Sequence, residues 1–177
     1  PKNTGTKIYC ISGNVNNPCN VDVFFALSHG VHRGVLKSGK TDDRITFLNK
    51  LVSTTPDIKF DIYGIKKVQP IWADHYFKTI QNAKMGLNLS RGDAIKYYSS
   101  DRITQIIGNG LVCLIDEKTQ YNNFFNSNEM VFYKNVSDLS EKIIKISKDE
   151  KLRKKIAKNG KKKYMKYFNS DLVAQYI

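Results

Sequence analysis

Cysteine, proline, histidine and tryptophan are all scarce in this 177-residue sequence, at three, four, three and one residues respectively. The cysteines, Cys10, Cys19 and Cys113, are odd in number and form no C-x-x-C pair. No disulfide framework or cysteine-based zinc site is therefore expected, and a reducing cytosolic setting is. Cys113 sits inside the apolar run LVCLI and reads as a small core residue. His29 and His32 lie in a glycine-broken loop without an acidic third ligand nearby, so no metal site is expected there either. No run approaches the roughly 18 apolar residues of a membrane span, and the first residues lack the basic-then-apolar layout of a signal peptide. The chain opens on Pro1 rather than Met, and reads as a processed chain or a piece of a longer one. Acidic residues are few as well: 16 face 29 Lys or Arg, for a net charge of +13. The excess is local. Residues 141–168 hold twelve Lys or Arg against three Asp or Glu and contribute +9, so the rest of the chain is only mildly basic.

What is present is an alternation of elements in a chain long enough for one well-buried domain. Residues 1–20, rich in Asn, Gly, Thr and Pro, read as a linker in which only KIYCIS has strand character; the domain runs over 21–177. VDVFFAL (21–27), IKFDIYG (58–64), MGLNLS (85–90), GLVCLI (110–115) and EMVFY (129–133) read as strands, the last at a sheet edge. Between them lie helix patterns. RITFLNKLV places Ile45, Leu48 and Val52 on one face, DHYFKTIQNA follows the second strand, and SSDRITQII begins at Ser100 or Asp101 and ends at Gly108-Asn109-Gly110. A short helix is expected around TQYNNFF. VSDLSEKIIKISKD is then capped by Ser137, with Leu139, Ile143 and Ile146 apolar, and EKLRKKIAKNG and KKKYMKYFNS read as a pair of packed helices. Strands that are continuously apolar rather than alternating belong to a parallel sheet covered on both faces. The fold class is therefore α/β: a Rossmann-like parallel sheet of about five strands with helices on both faces and C-terminal helices.

Such sheets bind ligands beyond the carboxyl ends of their strands, which directs attention to SHGVHRG, GIKKVQPIW and RGDAIKYYSSD. In the first loop, glycines permit close backbone approach to phosphate, Arg33 and Lys37 supply charge, and His32 can donate a hydrogen bond. In the third, Arg91 and Gly92 end a strand, and Ser99, Ser100 and Asp101 open a helix whose first N–H groups are unpaired. Arg102 occupies that helix's first turn, where a cation is unfavourable to the dipole unless an anion is near.

GLNLSRG, then SSDRITQIIGNGLVCLID, NNFFNSNEMVFYKNVSDLSEKIIKI and KLRKKIAKNG resemble, in order and spacing, the donor-binding half of GT-B type glycosyltransferases. The likeness is greatest to the CgeB-like branch of the glycosyl-transferase group 1 family and covers residues 58–168, more loosely reaching back to VFFALSHGVHRG. It implies a nucleotide-sugar donor as substrate, no cofactor and no metal. It also implies a carbohydrate, lipid-linked or protein acceptor, held by an N-terminal acceptor domain absent from this chain. Taken with the strand-end chemistry, this gives His32, Arg33, Lys37, Arg91, Gly92, Ser99, Ser100, Asp101 and Arg102 as donor-binding residues. By the resemblance Arg33 and Lys37 face the diphosphate, with Ser99, Ser100 and the start of the following helix nearby. The family's ribose-binding Glu falls on Gln105, which can hydrogen-bond hydroxyls but lacks a carboxylate's charge. No catalytic base is identified. A non-catalytic nucleotide-binding relic and a basic nucleic-acid or membrane-surface module are the alternatives. Leu152, Ile156, Tyr164 and Phe168 recur at helical spacing, so the basic tail reads as packed helices with solvated faces, without nucleic acid as partner. The same surface can meet anionic lipid, which gives a cytoplasmic chain with peripheral contact to the inner face of a membrane.

Overall fold

Each strand sends alternate side chains to opposite faces, and here both faces are covered, which explains the unbroken apolar runs. The structure is a computed structural model that describes residues 19–27, 43–65, 68–169 and 174–175. KIYCIS and the loop at 28–42, with His32, Arg33 and Lys37, lie outside the described residues. The strands are β1 (Val21–Ala26), β2 (Phe60–Tyr63), β3 (Ala83–Asn88), β4 (Val112–Asp116) and β5 (Val131–Tyr133). The helices are α1 (Asp43–Thr54), α2 (Ala73–Ile80), α3 (Asp101–Gly108), α4 (Val136–Lys148) and α5 (Glu150–Tyr167). All five strands are parallel, in the order β2-β1-β3-β4-β5, with β5 at an edge. The expected α/β sheet is the one observed.

Val23 and Phe25 of β1, Met85 and Leu87 of β3, and Val112 and Leu114 of β4 pack with Leu48 and Leu51 of α1 and Leu139, Ile143 and Ile146 of α4. Phe24, Cys113 and Ile115 face the other way, onto Ile80 of α2 and Ile103, Ile106 and Ile107 of α3. Burial pushes the Cys113 thiol up to about 12, so it is an inert core group. Gly86 lets α3 approach β3: a Cβ there would lie 2.4 Å from the Ile106 side chain. Among the described residues no helix is long and apolar enough to cross a membrane.

Several boundaries differ from expectation for local reasons. On α1, Leu51 is fully buried while Val52 is 38% exposed, so the buried face turns one residue earlier than the Ile45-Leu48-Val52 register. Asn135, not Ser137, caps α4: its side chain accepts from Asp138 N at 3.0 Å, and Asp138 in turn accepts from Lys134 N at 2.9 Å. The TQYNNFF region forms two 3₁₀ turns, Glu117–Thr119 and Tyr121–Asn123. The largest correction concerns the C-terminal tail. EKLRKKIAKNG and KKKYMKYFNS are one helix, α5, running through Gly160. Ile156 and Ala157 pack with the α1/α4 layer and Tyr164 with the α2/α3 layer, so α5 passes from one side of the sheet to the other.

α5 begins with a buried charge. Arg153 is 1% exposed and forks onto Glu150, Nε to Oε2 at 2.7 Å and a terminal nitrogen to Oε1 at 2.6 Å. The Arg153 hydrogen bond, with its charge, holds the Glu150 carboxyl down to about 2. Because this folded value lies below the unfolded one, the pair's stabilisation is present above about pH 4.5 and is lost as pH falls toward about 2. Glu150 is 55% exposed, which screens the pair, so the expected gain is about 1 kcal/mol. Glu150→Gln should flatten that stretch of the stability–pH curve in urea titrations; an unchanged slope there would count against the pairing.

Candidate functional site

At the carboxyl end of β1, between α2 and α3, lies a cleft of about 420 Å³. Ala26 and Leu27 form its floor, Ile71, Trp72, Ala73, Tyr76 and Phe77 one wall, and Tyr98, Ser100, Asp101, Arg102 and Gln105 the other. Local sequence explains both walls. α2 starts from Ala73 in a left-handed conformation (φ 47), with Trp72 before it extended and 58% exposed. α3 starts at Ser100, whose backbone is extended and whose hydroxyl does not cap the helix. Instead, Ser100 Oγ donates to Asn88 Oδ1 at 2.8 Å, tying the helix start to the end of β3. Asn88 is 3% exposed, so this hydrogen bond satisfies a buried amide.

Arg102 is held by the ends of two strands. It donates to Asn88 Oδ1 at 3.3 Å, to Leu89 O at 3.2 Å and to Ala26 O at 3.4 Å, with the guanidinium 5.2 Å from the Phe25 ring centroid. Burial pushes its pKa down from the ordinary arginine value and the nearby Arg44 charge adds to this, so a bound anion would be favoured on electrostatic grounds. Gln105 Oε1 accepts a short hydrogen bond from the Tyr76 hydroxyl, which joins the two walls. The Gln105 Nε2 donors have no partner among the described residues. Among the described residues the cleft therefore offers a helix N-terminus, a cation, an amide donor and aromatic surface.

Of the residues anticipated from sequence, Ser100, Asp101, Arg102 and Gln105 line this cleft. Ser99 is exposed and interacts with the Tyr121 and Tyr164 hydroxyls rather than lining it. Arg91 is exposed and lines no part of the cleft. Gly92 (φ 68) lines a separate cavity of about 30 Å³ with Asn88, Ser90, Asp116, Thr119 and Tyr133. The Tyr133 hydroxyl there is buried with no partner among the described residues, and the space fits about one water. Sequence reasoning missed Trp72, Tyr76 and Tyr98. A signal for the first existed: the chain's single Trp stands in GIKKVQPIW, a loop already assigned to the carboxyl end of the sheet.

Comparison with known proteins bears on this arrangement. The model of the glycosyl transferase-like family matches residues 44–177. A crystal structure of TarM superposes with a TM-score of 0.67 at 11% identity, over 94% of this chain and 36% of that one. A S. aureus TarM mutant in complex with fondaparinux, alpha-GlcNAc-glycerol and UDP gives 0.65 at 12% identity, over 93% and 36%. At such identity the likeness is one of fold. An NADH-quinone oxidoreductase subunit of Rickettsia massiliae (strain Mtu5) is 64% identical over 28 residues, 16% of this chain and 7% of that protein. The Rickettsia bellii (strain OSU 85-389) protein of the same name is 77% identical over 22 residues, 12% and 5%. Segments this short fall below one strand–helix–strand unit and convey neither fold nor activity. The chain spans about a third of the TarM structures and less than a tenth of these oxidoreductase proteins.

Proposed function

We propose that this chain, which belongs to the glycosyl transferase-like family, binds a nucleotide-sugar donor in the cleft between α2 and α3 and transfers its sugar to an acceptor. The carrying observation is that Ser100, Asp101, Arg102 and Gln105 meet Trp72, Tyr76 and Tyr98 around one cleft at the strand ends. A diphosphate suits the N–H groups at the start of α3 and the Arg102 charge, both of which oppose its negative charge. Trp72 or Tyr98 offers a face on which a base can stack, and Gln105 Nε2 donors suit ribose hydroxyls. The nucleotide diphosphate leaves with developing negative charge, which a fixed cation and helix terminus stabilise without a divalent ion. The acceptor (carbohydrate, lipid-linked or protein) and the general base belong to a further, N-terminal domain in this reading. The CgeB-like branch, a hexosyl donor and a cytoplasmic setting complete it. UDP in the TarM complex supports the choice of ligand class.

A thermal-shift panel of UDP- and GDP-sugars tests it, because a ligand bound to the folded state at about 100 times its Kd adds about 2.7 kcal/mol of apparent stability. Gln105→Glu should tighten nucleoside diphosphate binding about fivefold, because the ribose hydroxyls would then donate to a carboxylate oxygen instead of accepting from the amide. No shift with any nucleotide sugar would overturn the donor reading. A shift with no gain in Gln105→Glu would overturn only the ribose assignment.

A further inference from the structure

The solvent face of α5 carries a feature that donor binding does not use. Lys151, Lys155, Lys158, Lys162 and Lys166 are all exposed. At about 100° per residue they fall within an arc of about 80°, opposite the buried Arg153, Ile156, Ala157, Gly160 and Tyr164. The row extends for about 22 Å along the helix. The helix holds nine Lys or Arg and one acidic residue, Glu150, which is already paired with Arg153 and Lys154. At the C-terminal end the row adjoins exposed aromatic surface. Phe124, Tyr167 and Phe168 are 51%, 54% and 43% exposed, around a groove of about 470 Å³ that also includes Lys163. The Lys166 ammonium lies 5.3 Å from the Tyr167 ring centroid.

We propose that this face docks the protein on an anionic phospholipid surface. A straight row of like charges with no acidic residue among them needs an extended, diffuse negative partner, and a layer of lipid phosphates is one. The composition favours lipid over nucleic acid. The row is entirely lysine, compact charges without the planar fork that reads phosphate and base edges bidentately, and the one arginine of α5 is buried on Glu150. Aromatic rings at one end of a basic helix suit the headgroup level of a bilayer, where amphipathic rings settle. Docked in this way, α5 would lie along the membrane.

Flotation of the whole chain with phosphatidylcholine vesicles, with and without phosphatidylglycerol, tests the proposal. Binding is expected only to the phosphatidylglycerol vesicles, and added salt should reverse it. The combined variant Lys155→Ala, Lys158→Ala, Lys162→Ala should lose about 100-fold in partitioning, about fivefold per lysine. Lys50→Ala, Lys59→Ala, Lys78→Ala removes the same charge from exposed positions elsewhere and should keep most of the binding. All six side chains are exposed, so both variants should melt as the parent does. Equal losses in the two variants, equal binding to neutral vesicles, no binding at all, or tighter binding of a single-stranded oligonucleotide than of the anionic vesicles would each overturn it. No nucleotide sugar is present, so the result is independent of the donor reading.

Discussion

Gly160→Ala should destabilise the protein by about 2 kcal/mol, although alanine is the better helix former. Two effects oppose each other at this position. In an exposed helix interior, replacing glycine with alanine gains about 1 kcal/mol. Here an added Cβ would lie 2.2 Å from the Glu129 carbonyl oxygen and 3.3 Å from its carbon. The obstacle is backbone rather than a side-chain tip, so no rotamer change relieves it, and α5 or the segment before β5 must move. Both are anchored by buried Met130, Ile156, Ala157 and Tyr164, and by the Lys163–Glu129 ion pair at 2.8 Å. Overpacking of this kind costs about 3 kcal/mol and outweighs the propensity gain. Urea denaturation should show a lower midpoint with an unchanged slope. A midpoint that rises would mean that α5 does not pass this close to Glu129.

Arg102→Met should act on both stability and ligand binding. The substitution keeps an unbranched apolar stem but removes every donor, leaving the Ala26 and Leu89 carbonyls without the guanidinium. The expected loss is about 1–2 kcal/mol of stability, from half-buried acceptors that lose the guanidinium and keep only partial access to water. Asn88 Oδ1 keeps its bond from Ser100, so the start of α3 should stay near β3. Nucleoside diphosphate affinity should fall about 100-fold, because the cation that lines the cleft among the described residues is gone. Arg102→Lys separates the two roles. Its charge should restore part of the affinity, while its single ammonium cannot span three acceptors on two strands and should restore little stability. Calorimetric titration with UDP, beside urea melts, checks both; full nucleotide affinity in Arg102→Met would remove Arg102 from the donor site.

The two substitutions also mark where sequence reading reaches and where it stops. Gly160 reads as the end of a helix because Asn-Gly is a common stop, and a one-dimensional pattern contains no carbonyl from residue 129. Ser137 reads as a cap because hydroxyls favour that position, but Asn135, two residues earlier, reaches the Asp138 N–H first. Arg102 reads as a first-turn cation that calls for a nearby anion, and the structure places it on three neutral acceptors with Phe25 beneath it. Ser100, Asp101, Arg102 and Gln105 are legible as a group because they share one helix start. Tyr76 is not, and Trp72 is legible only as part of a strand-end loop, since both come from a different stretch of chain and join the cleft only when α2 packs beside α3.

The amino-acid sequence by itself determined the strand–helix alternation, the parallel sheet with both faces covered, and the end of the sheet where polar groups gather. Those follow from local periodicity and from which residues can be buried. Only the tertiary structure decided which polar groups share a cleft, that Arg91 and Ser99 stand apart from it, and that α5 is one helix carrying a lysine row on its open face. Each of those depends on the approach of elements far apart in the chain, through contacts such as a glycine against a carbonyl or a guanidinium across two strand ends.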